Sequence, residues 1–312
     1  MGSHWRVPAQ HAGAGSRTAS SQAAPPAWFR AMRDSSWLPI HARPPPAQNS
    51  RLFKTPRFFN TTEAVPCRYF APSETLTQRI GGHSPLRMLL TCLGHSCISV
   101  RTGGKDLLFD PFVSGNPLAK AIDVAAIPAD VVLLTHGHGD HVLDAEAILK
   151  RTGATLVGNF ELVNWFAKKG IEGGIGMNLG GATTVAGLRV RMTIAHHSSE
   201  LPDGTYGGNP GGFVVEGPEG AFHHAGDTAL TLDMRLLERF NLEFACLPIG
   251  DHFTMGPEDA VQAARLMGVK KVVGIHYDTF PPIAIDREKA RAAFGKEGIE
   301  LLLPAIGETI SI

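Results

Sequence analysis

The segment Thr135-His136-Gly137-His138-Gly139-Asp140-His141 carries three imidazoles and one carboxylate within six consecutive residues. Crowded together without a cation, such side chains would be partly desolvated and would compete for protons, whereas a divalent metal accepts their lone pairs directly. Gly137 and Gly139 let the backbone turn tightly, so that alternate side chains can converge. The chemistry this loop supports is hydrolysis by water activated on a bound cation. A first-row divalent ion takes roughly four to six donors, so one loop cannot complete two sites and further ligands must come from distant strand ends. Three runs offer them: His196-His197-Ser198-Ser199, His224-Ala225-Gly226-Asp227-Thr228 and His276-Tyr277, each following an apolar stretch. Period-two counting along Val190, Met192 and Ile194 puts His196 on their face, with His197 on the other. Asp110, between an apolar run and Pro111, either orients a ligating histidine or caps the turn. His224 either points toward the site or is a satisfied core residue.

The elements that must position these groups begin at Met88. Continuous apolar stretches such as Val131-Val132-Leu133-Leu134 read as strands buried on both faces. Strands are predicted at 88–93, 97–101, 106–110, 130–135, 154–158, 188–195, 212–216, 220–225, 243–248, 271–275, 299–303 and 308–312. Helices are predicted at 143–151, 160–169, 231–240, 257–267 and 287–295; Pro257 followed by Glu258 and Asp259 suits a helix start. Hairpins come first and strand–helix alternation follows. That order predicts an α+β fold, a four-layer αββα sandwich, with the site where strand ends open a cleft.

The 312 residues divide sharply in composition: residues 1–87 hold 11 Lys and Arg against three Asp and Glu, and 88–312 hold 18 against 26. Half of the 22 prolines also precede residue 88. The first segment reads as disordered, and its histidines, His4, His11, His41 and His83, belong to a polar leader. It is an organelle transit peptide, an interaction tail, or translated sequence upstream of a true start at Met88. Cys67, Cys92, Cys97 and Cys246 form no CxxC pair, which favours a reducing compartment and argues against thiolate zinc. No stretch is apolar enough for a membrane span, so a cytoplasmic location is expected, or an organellar one with a genuine transit peptide. The acidic balance of 88–312 argues against a nucleic-acid surface. No Gly-x-Ser-x-Gly elbow, phosphate-cradling Gly-rich loop or dinucleotide fingerprint is present.

From Met88 to Ile312 the chain resembles the metallo-β-lactamase superfamily, and within it the UPF0173-type metal-dependent hydrolases similar to ascorbate-6-phosphate lactonases. The likeness rests on Gly94-His95-Ser96-Cys97, Asp110-Pro111-Phe112, the His-rich loop, His197-Ser198-Ser199, Ala225-Gly226-Asp227-Thr228, Pro248-Ile249-Gly250-Asp251, Phe253-Thr254-Met255-Gly256-Pro257-Glu258-Asp259 and His276-Tyr277. It implies two divalent metals, zinc foremost, with manganese, nickel or iron as alternatives. His136, His138 and His197 would hold one, Asp140, His141 and His276 the other, and Asp227 would bridge them. Here His197 is preferred to His196 because the family's histidine directly precedes the serine pair. His95 and His252 fall in loops that the family places near the cleft. A metal-bridging hydroxide would attack a small ester or lactone, possibly phosphorylated, with Asp140 or Asp227 taking up the proton. A phosphodiesterase of the phospholipase D-like branch is the second reading, and a non-catalytic metal-binding or sensing module the alternative of another class. A small-molecule substrate is expected, with neither nucleic acid nor membrane as partner; a homo-oligomer stays open.

Overall fold

The structure, a computed structural model, describes residues 87–312. The predicted leader, with its four histidines and Cys67, lies outside the described residues.

Two seven-stranded sheets form the centre of the fold. The first runs β14 (Thr309–Ser311), β1 (Leu89–Gly94), β2 (Cys97–Thr102), β3 (Lys105–Phe109), β4 (Val131–Leu133), β5 (Thr155–Asn159) and β6 (Ile175–Met177). The second runs β13 (Glu300–Leu302), β12 (Lys271–Ile275), β11 (Leu242–Pro248), β10 (Gly220–His224), β9 (Gly211–Gly217), β8 (Leu188–Ile194) and β7 (Ala182–Val185). The first sheet is antiparallel from β14 to β3 and parallel from β3 to β6, and the second is antiparallel from β7 to β10 and parallel from β10 to β13. Leu90, Phe109, Leu133, Met192, Phe213, Phe222 and Phe244 interlock between the sheets. The outer face of the first sheet packs on α1 (Gly139–Val142), α2 (Ala145–Thr152) and α3 (Phe160–Ala167), and that of the second on α4 (Pro257–Met267) and α5 (Arg287–Lys296). The fold is therefore the αββα sandwich. α4 starts at Pro257 with Glu258 and Asp259 in its first turn and ends at Gly268, whose φ of 70° suits the left-handed cap.

Several elements differ from the sequence reading. β6 and β7 are three and four residues long and follow glycine-rich connections, so neither shows a period long enough to read. The 231–240 segment is 3₁₀ rather than α, spanning Leu232–Phe240. β4 ends at Leu133 rather than Thr135 because the Thr135 amide leaves the ladder to donate to Asp110 Oδ1 at 2.8 Å.

Beneath the 3₁₀ segment, His223 is fully buried on the outer face of β10, its Nε2 3.1 Å from Thr193 Oγ1. Burial, followed by the neighbouring His224, pushes its pKa down to about 3. The unfolded chain binds a proton at this residue near pH 6.5, so between pH 6.5 and 3 unfolding takes up a proton that the native state refuses. Stability contributed by neutral His223 is complete above that window and is lost as pH falls through it. His223→Gln should remove up to about 1.4 kcal/mol per pH unit from the slope of stability against pH between 6 and 4. Denaturant titrations at both pH values check this; an unchanged slope contradicts it.

Candidate metal centre

β4, β8, β10 and β12 all deliver their C-terminal ends to one edge of the sandwich, the place where open α/β sheets form clefts. From β4 come His136, His138, Asp140 and His141; after β8 comes His197, after β10 Asp227 and after β12 His276. Donor atoms of His136, His138 and His197 lie within 4.8 Å of one another, and so do those of His95, Asp140, His141 and His276. Asp227 stands between these groups: its Oδ2 is 2.9 Å from His276 Nε2, 3.3 Å from His141 Nε2, 3.5 Å from His197 Nε2 and 4.0 Å from His136 Nε2. His95, Asp110, Asp251, His252 and His276 all take positive φ, a concentration of unfavourable backbone typical of functional sites.

Hydrogen bonds determine which way the imidazoles face. Thr135 Oγ1 spends its single proton on Asp110 Oδ2 at 2.6 Å, so His136 Nδ1, 3.0 Å away, must donate to the hydroxyl oxygen. His136 Nε2 is then left with a lone pair. His141 Nδ1 likewise donates to Asp110 Oδ2 at 2.9 Å, leaving Nε2 to face Asp227. A lone pair aimed at a carboxylate is repulsive unless the imidazole gains a second proton or a cation lies nearby. Asp227 Oδ1 and His141 Nε2 are buried without a hydrogen-bond partner among the described residues. These orphaned atoms and this donor chemistry fit a divalent cation.

The electrostatics of the protein alone agree with that fit. Burial, followed by the charge of His141, holds His136 well below the ordinary imidazole range, and the same two causes bring His138 to about 4. Both imidazoles are therefore neutral at physiological pH. Burial works against the charge on Asp227, but His276 and His141 outweigh it and hold the carboxyl well below its usual range. Burial also opposes the charge on His141, yet Asp227 and Asp110 raise it well above its ordinary value.

His197, not His196, joins the cluster. His196 is exposed, its Nε2 3.8 Å from Asp233, and its amide donates to Thr228 Oγ1. Alternation fails here because β8 ends at Ile194, itself 41% exposed, so period-two counting has no meaning two residues later. His95 is closer in than a loop position suggests: Nδ1 is 2.9 Å from Thr279 Oγ1, Nε2 is 3.2 Å from Asp140 Oδ2, and the ring is boxed by Phe112 and Phe280. Burial, followed by His276, lowers its pKa to about 4. His224 stands apart from the donor atoms. It stacks on Phe109, donates from Nε2 to Ser96 O at 3.1 Å and accepts from the Gly226 amide at Nδ1. His252 is exposed beside Phe253 and belongs to neither donor group. Thr279 and the linking role of Thr135 were missed; no local pattern marks a threonine that meets a histidine 184 residues away.

Gly226 precedes Asp227 at φ 62°, where an added Cβ would lie 2.7 Å from the Thr135 side chain. Gly226→Ala should therefore cost about 1–3 kcal/mol and displace Asp227. Thermal melting and metal content of the variant check this, and wild-type values in both would contradict it.

A family model, the β-lactamase superfamily domain, matches residues 105–277, and the chain belongs to the metallo-β-lactamase superfamily. A UPF0173 metal-dependent hydrolase of Flavobacterium johnsoniae is 48% identical over 226 residues, 72% of this chain and 100% of the relative. One of Methanopyrus kandleri is 46% identical over 219 residues, 69% of this chain and 94% of the relative. Within the superfamily, the chain is a member of the UPF0173 metal-dependent hydrolases. Among solved structures, Igni18, a metallo hydrolase from Ignicoccus hospitalis, superposes with a TM-score of 0.66 at 33% identity, covering 73% of this chain and 99% of that one.

Proposed function

We propose that the chain is a binuclear metal-dependent hydrolase acting on a small ester or lactone, phosphorylated substrates included. The observation that carries this reading is Asp227, a buried carboxylate placed between two groups of imidazole and carboxylate donors. His136, His138 and His197 would hold one ion and Asp140, His141 and His276 the other, with Asp227 common to both. Imidazole and carboxylate donors suit zinc first, and accept manganese, nickel or iron. When bound, such cations supply Lewis acidity that brings water ionisation toward neutral pH and polarises a substrate oxygen.

The chain's own residues orient and move protons. Asp110 holds the imidazoles of His136, through Thr135, and of His141 in the tautomers that free their Nε2 lone pairs. His95 holds Asp140 at Oδ2. Asp140 or Asp227 would take up a proton during turnover, and the exposure of Asp140, 20% against 2% for Asp227, supports Asp140 as the one that passes it to solvent. The substrate is a small molecule rather than nucleic acid, since residues 88–312 carry 18 Lys and Arg against 26 Asp and Glu. Among the described residues no helix is long and apolar enough to cross a membrane.

The test is turnover of an aryl acetate, dihydrocoumarin and bis-aryl phosphate by protein loaded in turn with zinc, manganese, nickel and iron. The ester or lactone should be cleaved at least about ten-fold faster than the phosphodiester, and Asp140→Ala should remove about 10³-fold of that rate. Preference for the phosphodiester overturns the substrate class. Turnover that survives Asp140→Ala overturns the site.

A further inference from the structure

We propose a second ligand site, separate from the metal centre, on the outer face of the second sheet, for a small carboxylate with an apolar body. A cavity of about 110 Å³ opens where the helical cover of that sheet ends, between β8, β10 and the 3₁₀ segment Leu232–Phe240. Its floor is a cross-strand row in which Arg191 stands opposite Val214 and Val214 opposite His223. Its walls are apolar: Met234 and Leu237 are buried, while Leu236 and Ile194 remain exposed at the rim.

Two polar atoms on the floor have no partner. Arg191 Nε and His223 Nδ1 are both buried without a hydrogen bond among the described residues. Each side chain is also held at another atom. Arg191 Nη1 is tied to Gly180 O at 2.8 Å, and the His223 ring is held by Thr193 at Nε2. Buried unpaired polar atoms are costly, and a native cavity lined by two residues that carry them points to a ligand that pairs with both. In the tautomer in which Thr193 donates to Nε2, His223 presents Nδ1–H, and guanidinium and imidazole then both offer N–H donors to a carboxylate.

The charges select the same class. Arg239 lines the cavity beside Arg191, whereas its one carboxylate, Asp233, approaches His196 at 3.8 Å. Two guanidiniums against one acid favour an anion and disfavour an amine of equal shape. The leucine and methionine walls favour an aliphatic or aryl tail over a bare inorganic ion. The site also abuts the metal centre: Thr228 lines the cavity, follows Asp227 and accepts the His196 amide proton. The inference does not depend on the ester or lactone reading, because no residue that carries it is a metal donor.

Calorimetric titration of the full chain with sodium hexanoate tests the site, with hexylamine as the control of opposite charge. Saturable hexanoate binding is expected in metal-loaded and chelator-treated protein alike, and none for hexylamine. Arg191→Met should raise the dissociation constant about ten-fold or more. Because a strand substitution could disturb the sheet, Leu236→Glu at the exposed rim should weaken binding similarly at an unchanged melting temperature. Absence of saturable hexanoate binding, equal binding of hexylamine, full affinity in both variants, or binding lost on chelation overturns the proposal; the last result would assign the ligand to the metal centre.

Discussion

Asp227→Ala should reduce turnover by at least about 10³-fold, equivalent to about 4 kcal/mol in transition-state stabilisation, and should release bound metal. The size follows from position. One carboxylate oxygen lies within 4.0 Å of ring nitrogens from four histidines, and the other is buried without a partner among the described residues. Removing the charge leaves those imidazoles facing a cavity with nothing to neutralise a divalent ion. Asp227→Asn separates charge from shape: it keeps the volume and one acceptor oxygen but loses the anion. In the absence of metal it should fold but melt below wild type, because the buried pairing with His141 is lost, and it should lose nearly as much activity as the alanine variant. Retention of more than about a tenth of wild-type turnover in Asp227→Asn would show that this carboxylate is not central.

Asp110→Ala should be the most destabilising single change near the site, costing about 3–5 kcal/mol. Asp110 is fully buried and accepts from the Thr135 amide at 2.8 Å, the Thr135 hydroxyl at 2.6 Å and His141 Nδ1 at 2.9 Å. Alanine orphans all three donors and places a Cβ-only side chain at φ 43°, where aspartate and asparagine are better tolerated. For a domain of this size the melting temperature should fall by about 10 °C. Asp110→Asn keeps the backbone conformation and one acceptor, so it should fold better than alanine. Without the carboxylate the tautomers of His136 and His141 are no longer enforced, and metal affinity should fall about 10–100-fold. A metal titration of the asparagine variant that matches wild type would remove Asp110 from the account.

How much of the site can be read along the chain depends on how local each contact is. The loop from Thr135 to His141 was legible because its donors are contiguous and follow an apolar strand. Asp227 and His276 were legible as ligand-type residues closing apolar strands. The choice between His196 and His197 was not settled by alternation, which stops applying once the chain leaves β8 at Ile194. The contacts of His95 were invisible to any local rule, since Asp140 and Thr279 meet it from 45 and 184 residues away. His224 sits in a ligand-rich segment and yet is spent on packing and backbone hydrogen bonds; its stack on Phe109 is a contact between the two sheets. For the fold, the long apolar strands and the capped helix at Pro257 carried the architecture. β6 and β7 escape the sequence reading, and the 3₁₀ segment reads as α, because short elements owe their conformation to neighbours rather than to their own period.

The proposed binuclear centre is tested most directly by the metal content of the purified full chain, measured by plasma mass spectrometry after equilibration in metal-replete buffer and removal of excess ion. Wild type should hold about two equivalents of transition metal, His138→Ala about one, and Asp227→Ala less than one, because the first variant dismantles one donor group and the second removes the residue common to both. Less than about half an equivalent in wild type, or two equivalents retained in Asp227→Ala, would contradict the centre described here.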